Sequence, residues 1–173
     1  MGAIWSMFFG YGGSDTVDEK TGLTEREKNI LRYTWKGIST KPREYGPELF
    51  LQLFTKIPET KKYFRSLKDK SNEELRKSFV LRAHGATVVN SLTSVVESLD
   101  DADCLVSLLK KIGTNHQKIG IPVALFGPEF CELILSWLEN SLGSSRFGPT
   151  ERATWDKALS VIMSVIKSAY DEK

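Results

Sequence analysis

Residues 72–99 read NEELRKSFVLRAHGATVVNSLTSVVESL, and they place His84, one of the two histidines of the chain, among regularly spaced apolar residues. Together with His84 these residues recur at steps of three to five positions, as on one face of an α-helix. They are Leu75, Phe79, Val88, Leu92, Val95 and Leu99. The stretch therefore predicts one long amphipathic helix whose inward face includes His84.

The second histidine, His116, ends a similar stripe in residues 103–116. Its apolar members are Leu105, Leu108, Leu109 and Ile112. An imidazole on such a face needs a partner, because burial of an unpaired polar group costs free energy. Two interpretations follow. Each histidine is an ordinary core residue with a polar partner, or the two imidazoles approach one haem iron from opposite sides.

Helical periodicity continues through most of the chain after residue 23, without the alternation that is typical of strands. Thr24 with Glu27 and Ser71 with Glu74 have the spacing of capping boxes, which predicts two helix starts. Pro58 predicts the end of a helix, because proline lacks the amide hydrogen that a helix interior needs. The sequence therefore predicts an all-α domain of six or more helices.

Length and composition fit one domain, since 173 residues with 40% apolar content can enclose one core. The 24 basic and 22 acidic residues are scattered, so no nucleic-acid surface is predicted. Cys104 and Cys131 are predicted to be buried or half-buried free thiols of a reducing compartment. No apolar run of about 18 residues occurs, so we expect a soluble, cytoplasmic protein.

Residues 1–22 differ from the rest, because an apolar aromatic patch precedes a glycine-rich stretch without helical period. We expect a mobile extension there. Its first six residues, MGAIWS, fit the pattern in which Gly2 is myristoylated. One acyl chain without a basic cluster gives weak, reversible binding to a membrane, here the inner face of the plasma membrane. The alternative is an apolar tail that packs on the domain or is disordered.

Residues 57–64, IPETKKYF, and residues 83–88, AHGATV, resemble two motifs of the globin family. In that family a proline starts the short C helix, and a phenylalanine six positions later stacks on the porphyrin. Pro58 and Phe64 have this spacing. A distal histidine is followed four positions later by an aliphatic residue, and Val88 matches that position in the second motif.

Other features extend the resemblance. The two histidines are 32 positions apart, a separation similar to that in neuroglobin and globin X. Residues 147–155, FGPTERATW, resemble the start of the neuroglobin H helix, and Phe50 matches its distal B-helix position. Gly46 and Gly85 match the small residues at a close helix crossing. The resemblance implies a globin fold of six to eight helices around a haem pocket, formed by residues 23–173.

The resemblance also implies a cofactor and its ligands. Haem b would be held without covalent bonds, with the iron on Nε2 of His116 and the other ring nitrogen donating to a carbonyl or hydroxyl one turn back. Two roles remain open for His84: it ligates the iron at rest, or it donates a hydrogen bond to O2. The histidine spacing and Phe50 favour ligation. The implied pocket residues are Phe50, Phe64, Thr87, Val88, Ile112 and Ile121.

Three positions depart from the family pattern. Pro47 falls inside the expected B helix, which predicts a kink or a late start. Residues 119–131 match a regular G helix poorly, so no haem contact is assigned beyond Ile121. Ala3 stands where globin X has a cysteine next to its acylated glycine, which speaks against double acylation.

The function that the resemblance implies is reversible binding of O2, CO and NO, for oxygen binding, storage or transport. One alternative is a redox globin that reduces nitrite, dioxygenates NO or passes electrons with a reductase. Another is a membrane-associated gas or redox sensor. A dedicated enzyme is not expected beyond slow haem redox reactions, because both histidines serve the iron and no Ser/His/Asp or Cys/His set remains.

Overall fold

A computed structural model describes residues 11–171 and shows seven α-helices and two short 3-10 helices over that part of the chain. In chain order they are α1 (Glu25–Ser39), α2 (Pro42–Lys56), η1 (Pro58–Tyr63), α3 (Asn72–Lys77), α4 (Phe79–Glu97), α5 (Ala102–Lys118), η2 (Val123–Phe126), α6 (Pro128–Leu142) and α7 (Pro149–Ser168). Over the described residues the β structure is limited to an isolated bridge between Val17 and Thr24. No helix there combines the length and hydropathy needed to cross a bilayer. The all-α prediction is confirmed.

Side-chain caps mark the starts of two helices where the sequence predicted them. The Glu27 amide donates to Thr24 Oγ1 at 3.1 Å, and the Thr24 amide donates to the Glu27 carboxylate at 2.7 Å. Ser71 and Glu74 form the same reciprocal pair at the start of α3. In each capping box two backbone amides donate to side-chain oxygens. One of these amides lies in the first turn of the helix, where it has no intrahelical acceptor.

The prediction of a single helix over residues 72–99 is wrong, because the helix is interrupted at Ser78, between α3 and α4. The backbone of Ser78 is extended, with ψ of 118°, and its hydroxyl accepts from the Leu81 amide at 3.3 Å. Leu75 and Phe79, on either side of the interruption, are four positions apart, so helical apolar spacing continues across it and does not reveal it. Phe79, which the sequence assigned to the inward face, is 78% exposed as a result.

The backbones of α2 and α4 touch at Gly46 and Gly85. A Cβ atom on Gly85 would lie 2.5 Å from the carbonyl carbon of Gly46 and 2.6 Å from Pro47 N, nearer than such atoms approach. The close crossing that the sequence indicated is therefore present. The late start predicted from Pro47 is wrong, because α2 begins at Pro42, whose fixed φ suits the first position of a helix.

Three tryptophans join α1, α6 and α7 in the core. The ring centroid of Trp35 lies 6.2 Å from that of Trp137 and 5.8 Å from that of Trp155. Each indole N–H donates to a buried or half-buried oxygen, at Thr93 Oγ1, Tyr45 O and Thr34 Oγ1 respectively. Buried tryptophans are stabilising when this hydrogen is paired, so the cluster fixes how the three helices pack.

Residues 11–22 lie along α1 and reach α7, and the mobility that the sequence predicts for residues 1–22 stays a prediction. The Tyr11 hydroxyl donates to Glu151 at 2.9 Å, and Asn29 Nδ2 donates to Gly12 O at 2.6 Å. A glycine-rich composition does not reveal such contacts, because they depend on partners far along the chain. The predicted acylation site Gly2 lies outside the described residues.

Cys104 and Cys131 are both free thiols. Cys131 is half-buried, as predicted, but Cys104 is exposed, so the prediction for that residue is wrong. Cys104 lies in the first turn of α5, where its amide donates to the Asp101 carboxylate at 3.0 Å. Cys104 therefore comes directly after a surface loop, and helical spacing alone did not show that its side chain is exposed.

We expect Gly85→Ala to lower the free energy of unfolding by about 2 kcal/mol, because the added methyl group forces α2 and α4 apart. Urea denaturation followed by circular dichroism measures this. Gly12→Ala is the control, since no atom lies within 4 Å of a Cβ placed there, and it should change stability by no more than about 0.5 kcal/mol. Equal stabilities of the two variants would contradict the close crossing.

Candidate functional site

The helix that carries His116, α5, is fixed at its start, its middle and its end. The Asp101 carboxylate caps its first turn. At Gly113 it packs so closely on α7 that a Cβ atom would lie 2.8 Å from Ala169 Cβ. Gly120, with φ of 78°, then turns the chain away in a conformation that favours glycine. The position of His116 is therefore set by backbone contacts.

The His116 ring has a defined tautomer. Its Nδ1 lies 2.8 Å from the carbonyl oxygen of Ile112, one turn back, as the sequence analysis expected. A carbonyl only accepts, so Nδ1 carries the hydrogen and donates it. Nε2 of the neutral ring then presents a lone pair, which is the form that binds a metal ion.

His84 lies on α4 beside two aromatic rings. Its ring centroid is 4.9 Å from that of Phe50 on α2 and 5.3 Å from that of Phe64, which follows η1. Phe50 and Phe64 also contact each other, at 5.4 Å. The sequence predicted an inward His84, but the residue is exposed, because the aromatic rings cover only part of the imidazole. His84 therefore lies at the surface beside these rings and not in the core, and the space between α4 and α5 at the two histidines is called the histidine cleft below.

The two imidazoles interact electrostatically. Surrounding protein atoms lower the pKa of His84 from its usual 6.5, and the positive charge of His116 lowers it further. The first effect does not conflict with exposure, since a cleft wall is crowded by protein yet accessible to water. The second effect means that the two imidazoles are close enough for their charges to interact.

Most of the other predicted pocket residues lie in or against the core, and their contact with a haem stays a prediction. Phe50 is buried, at 6% exposure, and four residues are half-buried against the core. These are Phe64, Val88, Ile112 and Ile121. Thr87 differs, because it is exposed and its hydroxyl donates to the Ala83 carbonyl at 3.1 Å. No contact of Thr87 joins it to the aromatic rings.

Sequence reasoning missed two residues beside His116. Phe126, in η2, has its ring centroid 5.3 Å from that of His116 and is 6% exposed. Tyr170 lies behind it, with ring centroids 6.0 Å apart, and its hydroxyl donates to the Ile121 carbonyl at 3.1 Å. The sequence pattern pointed only weakly to Phe126, because this residue lies in the stretch without helical period after Gly120.

A groove of about 740 Å³ with a basic rim lies between η1 and the end of α5. Its lining residues are Lys62, Tyr63, Arg65, Ser66, Lys118 and Ile119. Phe64 lies between two of them in the chain, and His116 precedes Lys118 by two positions. The lining thus comes from segments that neighbour Phe64 and His116 in the chain, and its charged residues are all positive. Sequence reasoning did not find this surface.

Comparison with known proteins assigns the chain to a family. A family model for globins matches residues 47–166. The chain belongs to the globin family. Globin-1 of Anadara inaequivalvis is 30% identical over 149 residues, which span 86% of this chain and 97% of that protein. Cytoglobin-2 of Danio rerio is 28% identical over 151 residues, spanning 87% and 84% respectively.

A solved structure also matches this globin. The hexacoordinated heme protein from an anhydrobiotic tardigrade, crystallised at pH 4, superposes with a TM-score of 0.81. The match covers 90% of this chain and 99% of that one at 24% sequence identity. At this identity the match shows the fold, which is the globin fold that the sequence predicted.

We expect the pKa of His84 in the cofactor-free globin to lie below 6.5 and to rise toward that value in His116→Leu, which removes a neighbouring positive charge. Proton NMR titration measures it. Because the folded chain binds this proton less tightly than the unfolded chain, the His84 contribution lowers stability as pH falls through 6.5. Lys111→Met, on the same helix, should leave the pKa unchanged. An unchanged value in His116→Leu would contradict the shared cleft.

Proposed function

We propose that this globin binds one haem b in the cleft between α4 and α5 and uses it to bind O2, CO and NO reversibly. The main support is the orientation of His116. Its Nδ1 is committed to the Ile112 carbonyl at 2.8 Å, which leaves Nε2 available for the iron, while His84 approaches from the other wall. A core histidine without this role would need no second imidazole facing it.

The side chains around the cleft fit a haem in three respects. Phe50 and Phe64 supply apolar surface for a flat macrocycle. The basic groove supplies cations for the two propionates, with Lys62, Arg65 and Lys118 as the charged partners. The sequence contains no C-x-x-C-H motif, so the cofactor would be held by ligation and packing alone.

Haem supplies the iron to which diatomic gases bind, and the protein decides how accessible that iron is. We infer that His84 ligates the iron at rest. The His84 imidazole is held by ring contacts with Phe50 and Phe64, and in the described part of the chain it has no hydrogen-bond partner. Such a ring can leave and return without breaking a fixed hydrogen bond. An entering gas then competes with it, so the apparent affinity is the intrinsic affinity multiplied by the open fraction.

A redox role remains the second candidate, and the basic groove favours it. Its positive rim at the mouth of the cleft would attract an acidic reductase by charge complementarity. The rate of autoxidation distinguishes the two functions. A globin that stores or transports O2 keeps ferrous iron for many ligand exchanges, whereas a redox globin oxidises quickly and needs its reductase.

We expect His116→Ala to bind haem at least about 100-fold more weakly than the parent protein, since even loss of an outer-shell partner of a ligand costs about 10- to 100-fold in metal affinity. Haem transfer to a competing apoprotein measures this. His84→Ala is the matched control and should keep most of its haem. Equal haem affinity in His116→Ala and the parent protein would rule out His116 as the principal ligand.

We expect the deoxy ferrous protein to show the split visible bands of low-spin iron with two imidazole ligands. His84→Leu should convert it to five-coordinate high-spin iron that binds CO faster, because no internal ligand competes. Absorption spectra and flash photolysis measure the two effects. A high-spin parent spectrum at neutral pH would show that His84 acts only as a hydrogen-bond donor.

A further inference from the structure

Lys28 is a buried cation surrounded by carboxylates. Its side chain is 3% exposed, and its Nζ lies 2.9 Å from Asp18, 3.1 Å from Glu25 and 3.5 Å from Asp100. Burial alone would lower the pKa of Lys28, but the hydrogen bonds to Asp18 and Glu25 outweigh it and raise that pKa. The ammonium is therefore charged and acts as the centre of an ion cluster.

The three carboxylates come from separate parts of the fold. Glu25 lies on α1 with Lys28, whereas Asp18 belongs to residues 11–22 and Asp100 to the loop before α5. Asp100 also pairs with Arg32 of α1 and directly precedes Asp101, which caps α5. The Lys28 cluster thus joins the segment before α1 to the start of the helix that carries His116.

A second contact joins the same two elements. Lys20 Nζ lies 3.4 Å from the carboxylate of Asp103, in the first turn of α5. Both side chains are exposed, so this pair stabilises little by itself. Its position matters more than its strength, because it places the turn at residues 18–22 beside the N-terminus of α5.

The turn at residues 18–22 is built around Asp18. The amides of Lys20 and Thr21 donate to Asp18 Oδ1 at 2.9 and 3.3 Å. The amide of Gly22 donates to the Asp18 carbonyl at 2.7 Å, and Gly22 has φ of 70°, a conformation that favours glycine. The other carboxylate oxygen of Asp18 accepts from Lys28, so turn and cluster form together.

We propose that residues 11–22 form a strap that fixes the start of α5 through Lys28. At the start of the strap Tyr11 contacts Glu151 of α7 and Tyr33 of α1, and near its end Asp18 belongs to the Lys28 cluster. Residues 1–10 join it at Tyr11. The consequence for haem ligation rests on the proposed function, whereas the strap itself does not.

Hydrogen exchange at the amides of residues 105–109 tests the strap, beginning with the Leu105 amide, which donates to the Asp101 carbonyl at 2.8 Å. A deletion of residues 1–20 removes Asp18 and should speed exchange at these amides by about tenfold through local opening. A deletion of residues 1–10 is the matched control and should leave exchange unchanged. Equal exchange in the two deletions would overturn the proposal.

Substitution of the cation gives a second, independent test in the full chain. Lys28→Met should speed exchange at residues 105–109, and Lys28→Arg should restore much of the protection. The control is Lys36→Met, which removes an exposed cation from the same helix. If the amides of residues 105–109 exchange at the same rate in Lys28→Met and Lys36→Met, Lys28 does not hold α5. If Lys28→Met fails to fold, the two deletions decide.

The effect on the haem site is read separately, from the rate at which CO displaces His84. The 1–20 deletion should change this rate at least about threefold relative to the 1–10 deletion, because α5 is then less firmly held. If hydrogen exchange becomes faster but the rate of CO binding does not change, the strap stabilises α5 and has no effect on the haem site. Absence of haem from all variants, with the exchange difference intact, would contradict the proposed function and leave the strap in place.

Discussion

The backbone contact between Gly46 and Gly85 sets how deeply α4 lies against α2, and the candidate site depends on that depth. His84 directly precedes Gly85, so the crossing carries the imidazole to a fixed distance from α2. Phe50 on α2 then lies 4.9 Å from the imidazole by ring centroids. A methyl group at either glycine would separate the helices and withdraw His84 from its aromatic neighbours. A packing requirement in the backbone therefore sets the position of His84 in the candidate site.

The two histidines are held by different kinds of interaction. His116 has its tautomer and ring plane fixed by the Ile112 carbonyl and by Phe126. Among the described residues His84 has ring contacts only, and these are less directional than a hydrogen bond. Under the proposed function, this difference fits one permanent and one exchangeable iron ligand. It follows from a contrast in local partners, since both residues occupy similar positions on helical stripes.

Short-range rules explain what the sequence could predict. The Thr24 and Ser71 caps, the helical stripe that ends at His116 and the His116 hydrogen bond one turn back all depend on neighbours within about four positions. The inward face predicted for His84 was wrong, because that side chain is exposed. Resemblance to globins supplied the glycine crossing, and the pairing of the two histidines on one iron stays a prediction. The break at Ser78 was missed because a competing side-chain cap leaves the apolar period intact.

Long-range contacts explain what the sequence could not predict. The basic groove brings Lys62 and Arg65 together with Lys118, and no local pattern links those positions. The Lys28 cluster depends on Asp100, 72 positions away along the chain. Phe126 contacts His116 from a stretch without helical period. Each of these features is fixed by packing between separate elements, which a single sequence does not display.

Both helices that carry the histidines are held close to them. The helix α5 is held at its end by Gln117, which donates to the Tyr170 carbonyl at 3.0 Å, and in its middle by the contact of Gly113 with α7. The helix α4 is held by its crossing with α2 at Gly85, next to His84. The difference therefore lies in the rings, since His116 has a hydrogen bond to Ile112 and His84 has none to the described residues. Under the proposed function, the sixth iron ligand would then exchange by movement of the His84 ring alone, without displacement of the helix that carries His116.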